Sequence, residues 1–204
     1  MYGQLEKMIT STRNRRVVEA RKLGQRKYRQ RRGCFLVEGQ QLLHMALDAG
    51  ARPREVFYCL ELFGSKGAAA LMRRFQRTDA QLAPVSPDVL GSLSRRDTPQ
   101  GIVAIFPCFD TALEKLRLTG KELVLVLDRL QNPGNVGMLV RTADAVGAAA
   151  VILIKPCVDV FDPRAVRGSM GSLFNVPLSR TPDVATTFRL LNECGLRVVG
   201  ADAH

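Results

Sequence analysis

Apolar and polar stretches alternate most regularly between Leu123 and Val151, LVLVLDRLQNPGNVGMLVRTADAVGAAAV. The opening run, Leu123 to Leu127, is apolar and bounded by polar residues, which predicts a buried strand. A polar turn from Asp128 to Asn135 follows. Val136, Leu139, Val140, Ala143 and Val146 then recur at helical spacing, one apolar face of an amphipathic helix. Gly147 stands where a helix ends in a left-handed residue, and Ala149 to Ile154 is a second buried run. Strand, helix and strand in this order predict a parallel pair joined by a right-handed crossover.

The same pattern organises the remainder. Ile9 to Asn14 supplies capping residues for a helix over Arg15–Leu23. Gly24 to Gly33 reads as too charged to bury and therefore mobile, with Tyr28 placed to stack on a base. Cys34–Glu38 predicts a strand, and Gly39 opens a helix through Leu42, Leu43, Ala46 and Leu47. Glu55–Cys59 is the next strand and Ala68–Phe75 the next helix. Leu82 to Ser86 leads into a helix over Pro87–Leu93, with Ser86 as cap and Pro87 in its first turn. Gln100–Phe106 closes a small α/β sandwich. Pro107 to Lys121 is a polar connector with at most a short helix around Ala112–Leu116. Beyond the central unit, Asp162-Pro163 starts a helix. Met170, Leu173, Val176 and Leu178 give an apolar side to the next segment, Val184–Cys194 is a helix, and Leu196–Ala201 a strand. The segments expected are a basic arm at 1–32, an α/β sandwich at 33–106, a connector at 107–121 and a parallel-sheet unit at 122–204.

Charge changes this picture. The net charge of the 204 residues is +11, and residues 1–32 hold eleven Lys and Arg against two Glu. A basic arm on a near-neutral body points to a polyanionic partner, nucleic acid above all, against the plainer reading of a solvated basic helix. The five cysteines lie 25 or more residues apart and only two histidines, His44 and His204, are present. That scatter argues for reduced cytoplasmic thiols and against a disulfide framework or a zinc site. No apolar run reaches membrane-spanning length and no signal peptide is evident, so a cytosolic protein without membrane partners is expected.

The turn after the first strand fits neither GxGxxG nor GxxxxGK[ST]. It holds Asn132-Pro133-Gly134-Asn135-Val136-Gly137, and Arg141-Thr142 follows inside the helix. An arginine among Leu139, Val140 and Ala143 is costly unless it meets an anion or a polar partner.

Asn132-Pro133-x-Asn135-x-Gly137-x-x-x-Arg141-Thr142-Ala143 resembles the first signature of the SpoU (TrmH-like) RNA 2′-O-ribose methyltransferases, of the SPOUT class. Arg167-Gly168-Ser169-Met170-Gly171-Ser172-Leu173-Phe174-Asn175-Val176-Pro177 resembles the second. Phe35 to Gly39 and Pro99 to Ala104 look like the two ends of the substrate-binding domain that precedes many SpoU domains and is similar to an RNA-binding ribosomal protein. The resemblance implies S-adenosylmethionine as methyl donor, a 2′-hydroxyl of structured RNA as acceptor, ribosomal RNA in preference to transfer RNA, a deep trefoil knot and a homodimer. The family's third signature, which supplies most of the donor pocket and the knot, has no counterpart here. An incomplete SPOUT-type domain, a piece of a longer enzyme, is therefore expected.

Transferred residue by residue, the resemblance puts Arg141 at the reaction; Asn135 joins it as a polar group at the mouth of the sheet, where open α/β sheets place ligands. Arg141 stays protonated at ordinary pH, so orienting the acceptor and stabilising charge suit it better than acting as a base; the plainer alternative is an arginine capping sheet carbonyls. Asn135 either holds Arg141 or the ribose, or satisfies its own turn. Ala201 aligns with a region touching the donor. Arg13, Arg26, Lys27, Arg29, Arg31, Arg32, Arg167 and Ser169 are candidate RNA contacts, the last two alternatively subunit-interface groups. Asp128 reads as a turn residue and His44 as a packing residue. The rival to the enzyme is a binding-only RNA module with an inactive methylase half.

Overall fold

A computed structural model describes residues 7–63 and 67–201; His204 and the outer ends of the first and last expected segments lie outside them. α1 (Arg15–Lys22) is capped by Asn14, whose side chain accepts from the Arg16 N–H. α2 (Arg26–Arg32) follows and ends on Gly33 in the left-handed conformation. This corrects the expectation of a mobile 24–33 segment. Its central residue, Arg29, is buried, and its guanidinium finds carboxylates far along the chain, so the charge is matched inside the protein.

β1 (Cys34–Glu38), α3 (Gln40–Asp48), β2 (Glu55–Tyr58), α4 (Ala68–Phe75), β3 (Gln81–Pro84), α5 (Pro87–Leu93) and β4 (Ile102–Pro107) complete the first half. The sheet order is β1-β4-β2-β3, antiparallel except for the β2–β3 pair. β3 was not anticipated as a strand. It sits at the edge, where Pro84 needs no ladder donor. Side chains alternate across this sheet. Phe35, Val37, Val56, Ile102, Ala104 and Phe106 face α3 and α4, whereas Leu36, Phe57, Val103 and Ile105 face α1 and α5.

The connector is more ordered than its polarity suggests. A 3₁₀ turn at Leu113–Lys115 buries Leu113, and the Thr111 carbonyl accepts from the Arg180 N–H at 2.8 Å. Glu122 accepts from the backbone N–H groups of Thr119, Gly120 and Lys121 and from the Thr119 hydroxyl; those bonds, the Thr119 hydroxyl first, hold its carboxyl down at about 2.

β5 (Val124–Asp128), α6 (Pro133–Ala145), β6 (Ala150–Ile154), α7 (Pro163–Gly168), β7 (Leu178–Thr181) and α8 (Val184–Glu193) build a parallel sheet in the order β5-β6-β7. α6 and α7 cover one face, where Val136, Val140, Ala143 and Val166 meet Leu127, Val151 and Leu153. Leu113 and Leu191 meet Ile152 on the other. Leu196–Ala201 forms no strand, contrary to expectation: Leu196 packs beside Ile152, but Arg197 to Ala201 are exposed, Val199 at 76%, and without a neighbouring ladder an apolar run has no sheet to join.

The two halves share one apolar core. Phe35 of β1 lies 4.8 Å from Phe161 and 6.0 Å from Phe174, Phe106 of β4 lies 5.3 Å from Phe174, and Phe109 of the connector lies 4.9 Å from Phe161, all ring centroid to centroid. Gly171, at φ +101°, packs against the Met45 side chain so closely that a Cβ there would overlap it. Among the described residues no helix is long and apolar enough to cross a membrane, and no three His, Cys, Asp or Glu are grouped to hold a metal.

Candidate RNA methylation site

The polar turn after β5 is tied down from several sides. Asp128 pairs with its neighbour Arg129 through two bonds of 3.0 and 2.9 Å. These raise the Arg129 guanidinium pKa, and Arg129 itself sits at φ +52°. Backbone in that region is uncommon for a residue with a Cβ and marks places where the chain is held against its preference. The Gln131 amide donates to the Arg129 and Pro156 carbonyls, and the Val158 N–H to the Leu130 carbonyl, so the turn is fastened to the loop after β6.

The first signature then divides into builders and exposed groups. Asn132 caps α6, its side chain accepting from the N–H groups of Gly134 at 2.8 Å and Asn135 at 3.3 Å, and Pro133 occupies the first turn. Gly137 faces α7. A Cβ there would overlap the Ala165 carbonyl oxygen and stand 2.9 Å from Gly168, so only glycine allows the two helices to approach this closely. Gly168, from the second signature, meets Gly134 and Gly137 from the opposite side. Gly137 and Gly168 are thus the contact between the two signatures.

Asn135 and Arg141 are left pointing outward. With Met138, Thr142 and Ala145 they form the exposed stripe of α6, opposite the buried Val136, Val140 and Ala143. Arg141 is exposed, which corrects its expected burial among Leu139, Val140 and Ala143: the helical turn of about 100° per residue rotates it away from the apolar face. Among the described residues neither side chain has a hydrogen-bond or ionic partner, so neither capping of sheet carbonyls nor a bond from Asn135 to Arg141 occurs. Both are available to a ligand.

Four other candidates stand differently. Arg29 is 2% exposed; its Nε donates to Asp159 at 2.9 Å and its Nη1 to the Leu23 carbonyl at 3.0 Å, and Asp162 lies 3.5 Å from Nη2. It cannot contact RNA; its role is structural. Ser169 is likewise buried, with its hydroxyl donating to the Val166 carbonyl at 2.8 Å, and is no RNA contact. Ala201 is exposed and outside the sheet, so it forms no wall of a pocket among the described residues. Arg32 is exposed but paired with Glu19. Arg13, Arg26, Lys27, Arg31 and Arg167 are exposed. Tyr28 has Lys27 and Lys22 ammonium groups 4.9 and 5.6 Å from its ring, which occupies the surface expected to stack on a base. His44 packs beside α4, its Nδ1 3.2 Å from Arg74.

Burial raises the thiol pKa of Cys34, Cys157 and Cys108, the last to about 11, and all five cysteines are unpaired.

Comparison with known proteins gives this arrangement its place. Residues 14–104 match the MRM3-like substrate binding domain and residues 122–204 the SpoU rRNA Methylase family. The chain is 35% identical over 161 residues to the 23S rRNA (uridine(2479)-2′-O)-methyltransferase of Streptomyces viridochromogenes, covering 78% of this chain and 55% of that protein. It is 32% identical over 174 residues to the 23S rRNA (guanosine(2553)-2′-O)-methyltransferase RlmP of Bacillus subtilis, covering 85% and 65%. The chain thus spans between about half and two thirds of the length of these two relatives. An AdoMet-bound rRNA methyltransferase from Sinorhizobium meliloti superposes with a TM-score of 0.80 at 31% identity, over 93% of this chain and 69% of that one. Two signatures packed glycine to glycine, on a parallel sheet behind a mixed α/β sandwich, accord with these matches: the chain belongs to the SpoU family of RNA methyltransferases.

Proposed function

We propose that this protein transfers a methyl group from S-adenosylmethionine to a ribose 2′-hydroxyl of structured RNA, ribosomal rather than transfer RNA. The observation that carries the reading is the division of labour on α6. Asn132, Pro133 and Gly137 are engaged in building the turn and the helix contact, whereas Asn135 and Arg141 face outward without partners among the described residues. The S. meliloti relative binds the donor named here. S-adenosylmethionine brings an activated methyl group, and the described residues offer only one edge of a site for it. That edge is the turn after β5, fastened to the loop after β6.

The acceptor side is where this chain's own groups act. The Arg141 guanidinium is a planar fork of donors suited to anionic oxygen. It fixes a backbone phosphate beside the target sugar and stabilises the negative charge that the 2′-oxygen carries as its proton passes to solvent, while the thioether left behind keeps the bonding pair of the transferred methyl. Asn135 accepts or donates at the ribose, and its amide restrains the hydroxyl's orientation. Alignment of a weak nucleophile against a reactive methyl lowers the barrier chiefly through positioning. A homodimer through the methylase half belongs to the same reading.

The Arg141→Ala protein should lose methyl transfer to ribosomal RNA while its RNA affinity stays within a few-fold. Equal loss of binding and activity would remove Arg141 from the reaction. A binding-only module is the second reading; titration calorimetry with S-adenosylmethionine separates the two, since the module would bind RNA and no donor.

A further inference from the structure

An arginine cluster lies where the two halves meet, apart from α6. Arg95 and Arg96 come from the loop between α5 and β4, and Arg164 and Arg167 from α7. Arg95 and Arg167 line two adjoining clefts, one shared with Arg96 and the other with Arg164. The halves touch directly here, for the Arg167 Nη1 donates to the Arg95 carbonyl at 3.4 Å.

The acids nearby are engaged elsewhere. Glu38 accepts from the Ser94 hydroxyl and, at 2.9 Å, from the Arg95 N–H, which clamps the loop by its backbone. Asp162 caps α7 through the Arg164 N–H at 3.0 Å and faces Arg29. Among the described residues none of the four guanidinium groups pairs with a carboxylate, and the Arg96 Nε is buried with no partner at all. An orphaned buried donor is a deficit that a ligand oxygen relieves. Four guanidinium groups share the two clefts with only two carboxylates, Glu38 and Asp162, so positive charge is in excess and an entering anion offsets it. Planar forks match phosphate in particular.

We infer that Arg95, Arg96, Arg164 and Arg167 form a phosphate clamp for the RNA backbone, with both halves gripping the same strand. The inference rests on RNA being the substrate and assigns a grip distinct from the reacting site on α6. RNA backbone fits better than a small free anion. The cleft shared with Arg164 is open, Arg95, Arg164 and Arg167 are exposed, and the charges are spread over two elements instead of converging in one enclosed pocket. Arg29 contributes indirectly: by binding Asp159 and Asp162 it ties the basic α2 to the start of α7, beside the clamp.

The test is equilibrium binding of the full protein to a fluorescently labelled, structured ribosomal RNA fragment across a potassium chloride series. Each phosphate-contacting cation removed should flatten the slope of log K against log salt by about 1. The Arg95→Gln/Arg167→Gln protein should therefore lose about two units of slope, and Arg164→Gln about 1. Thermal melting verifies that the variants fold. Arg73→Gln/Arg77→Gln, on and just after α4, is the reference for nonspecific charge loss. A slope change in the clamp variants no larger than in this reference overturns the clamp. If the native protein binds RNA through the clamp but transfers no methyl group to it, the catalytic reading falls and the clamp stands. If it methylates RNA while the clamp variants keep the native slope, the clamp alone falls.

Discussion

Replacing Arg29 with methionine tests whether the charged arm is held by the interior. The substitution keeps an unbranched apolar stem of similar reach and removes the guanidinium. What remains is Asp159, with its side chain 8% exposed, and a Leu23 carbonyl that has lost its donor. Asp159 keeps one bond, from the Phe161 N–H at 3.1 Å. Removing one member of a buried pair costs about 3–5 kcal/mol, because the partner charge stays desolvated. The orphaned carbonyl belongs to the same loss and is not added to it. For a chain of this size each kcal/mol lowers the melting temperature by roughly 2–4 °C, which predicts a fall of about 6–20 °C. Urea unfolding followed by circular dichroism gives the free energy directly. The Arg29→Met/Asp159→Asn protein should be clearly more stable than the sum of the single losses predicts, since neither partner is then left charged and alone. A single-variant loss below about 1 kcal/mol, or strict additivity in the cycle, would refute a coupled buried pair.

Gly137→Ala should destabilise by about 1–3 kcal/mol or more, because its Cβ must push α7 away from α6. Gly91→Ala, in α5 with nothing within 4 Å of the added Cβ, should stabilise by about 0.5–1 kcal/mol; a melting series comparing the two fails the packing argument if both move the same way. Cys108 has its thiol raised to about 11 by burial and by the nearby Asp159, so its alkylation by iodoacetamide should stay slow through pH 9 and accelerate only above it. The folded state prefers the protonated thiol, so this group's stabilisation is complete below pH 9 and declines as pH rises towards 11; rapid alkylation at pH 8 would contradict the burial.

Elements with local signals were legible in the sequence. Ser86-Pro87 and Asp162-Pro163 each announce a helix start by a capping side chain and a first-turn proline, and both cap as read; Asn132-Pro133 carries the same signal but was read as part of the turn, so α6 starts three residues earlier than the apolar spacing suggested. β7 carries no such signal. Its Ser179 and Thr181 are fully buried although polar, because Thr111 of the connector and Asp183 meet their hydroxyls, and no apolar alternation remains to be seen. Leu196–Ala201 errs the other way: its composition suits a strand, but a strand exists only with a partner. Asn135 and Arg141 were found by their signature, whereas their exposure is a matter of helical phase. Arg29 deceived the reading because its partner lies 130 residues away, and Arg95 and Arg96 gain meaning only once α7 is folded beside them.

The five phenylalanine rings at the seam have a consequence for how the protein comes apart. Phe35 and Phe106 project from the first sheet into the space between Phe109, Phe161 and Phe174, so neither half can open without stripping rings from the other. The seam is therefore a poor hinge. Heat should release both halves in one calorimetric transition. A pull on the sandwich, such as the proposed RNA grip would exert, should reach the parallel sheet as a shift of the whole body, with little swing of one part against the other.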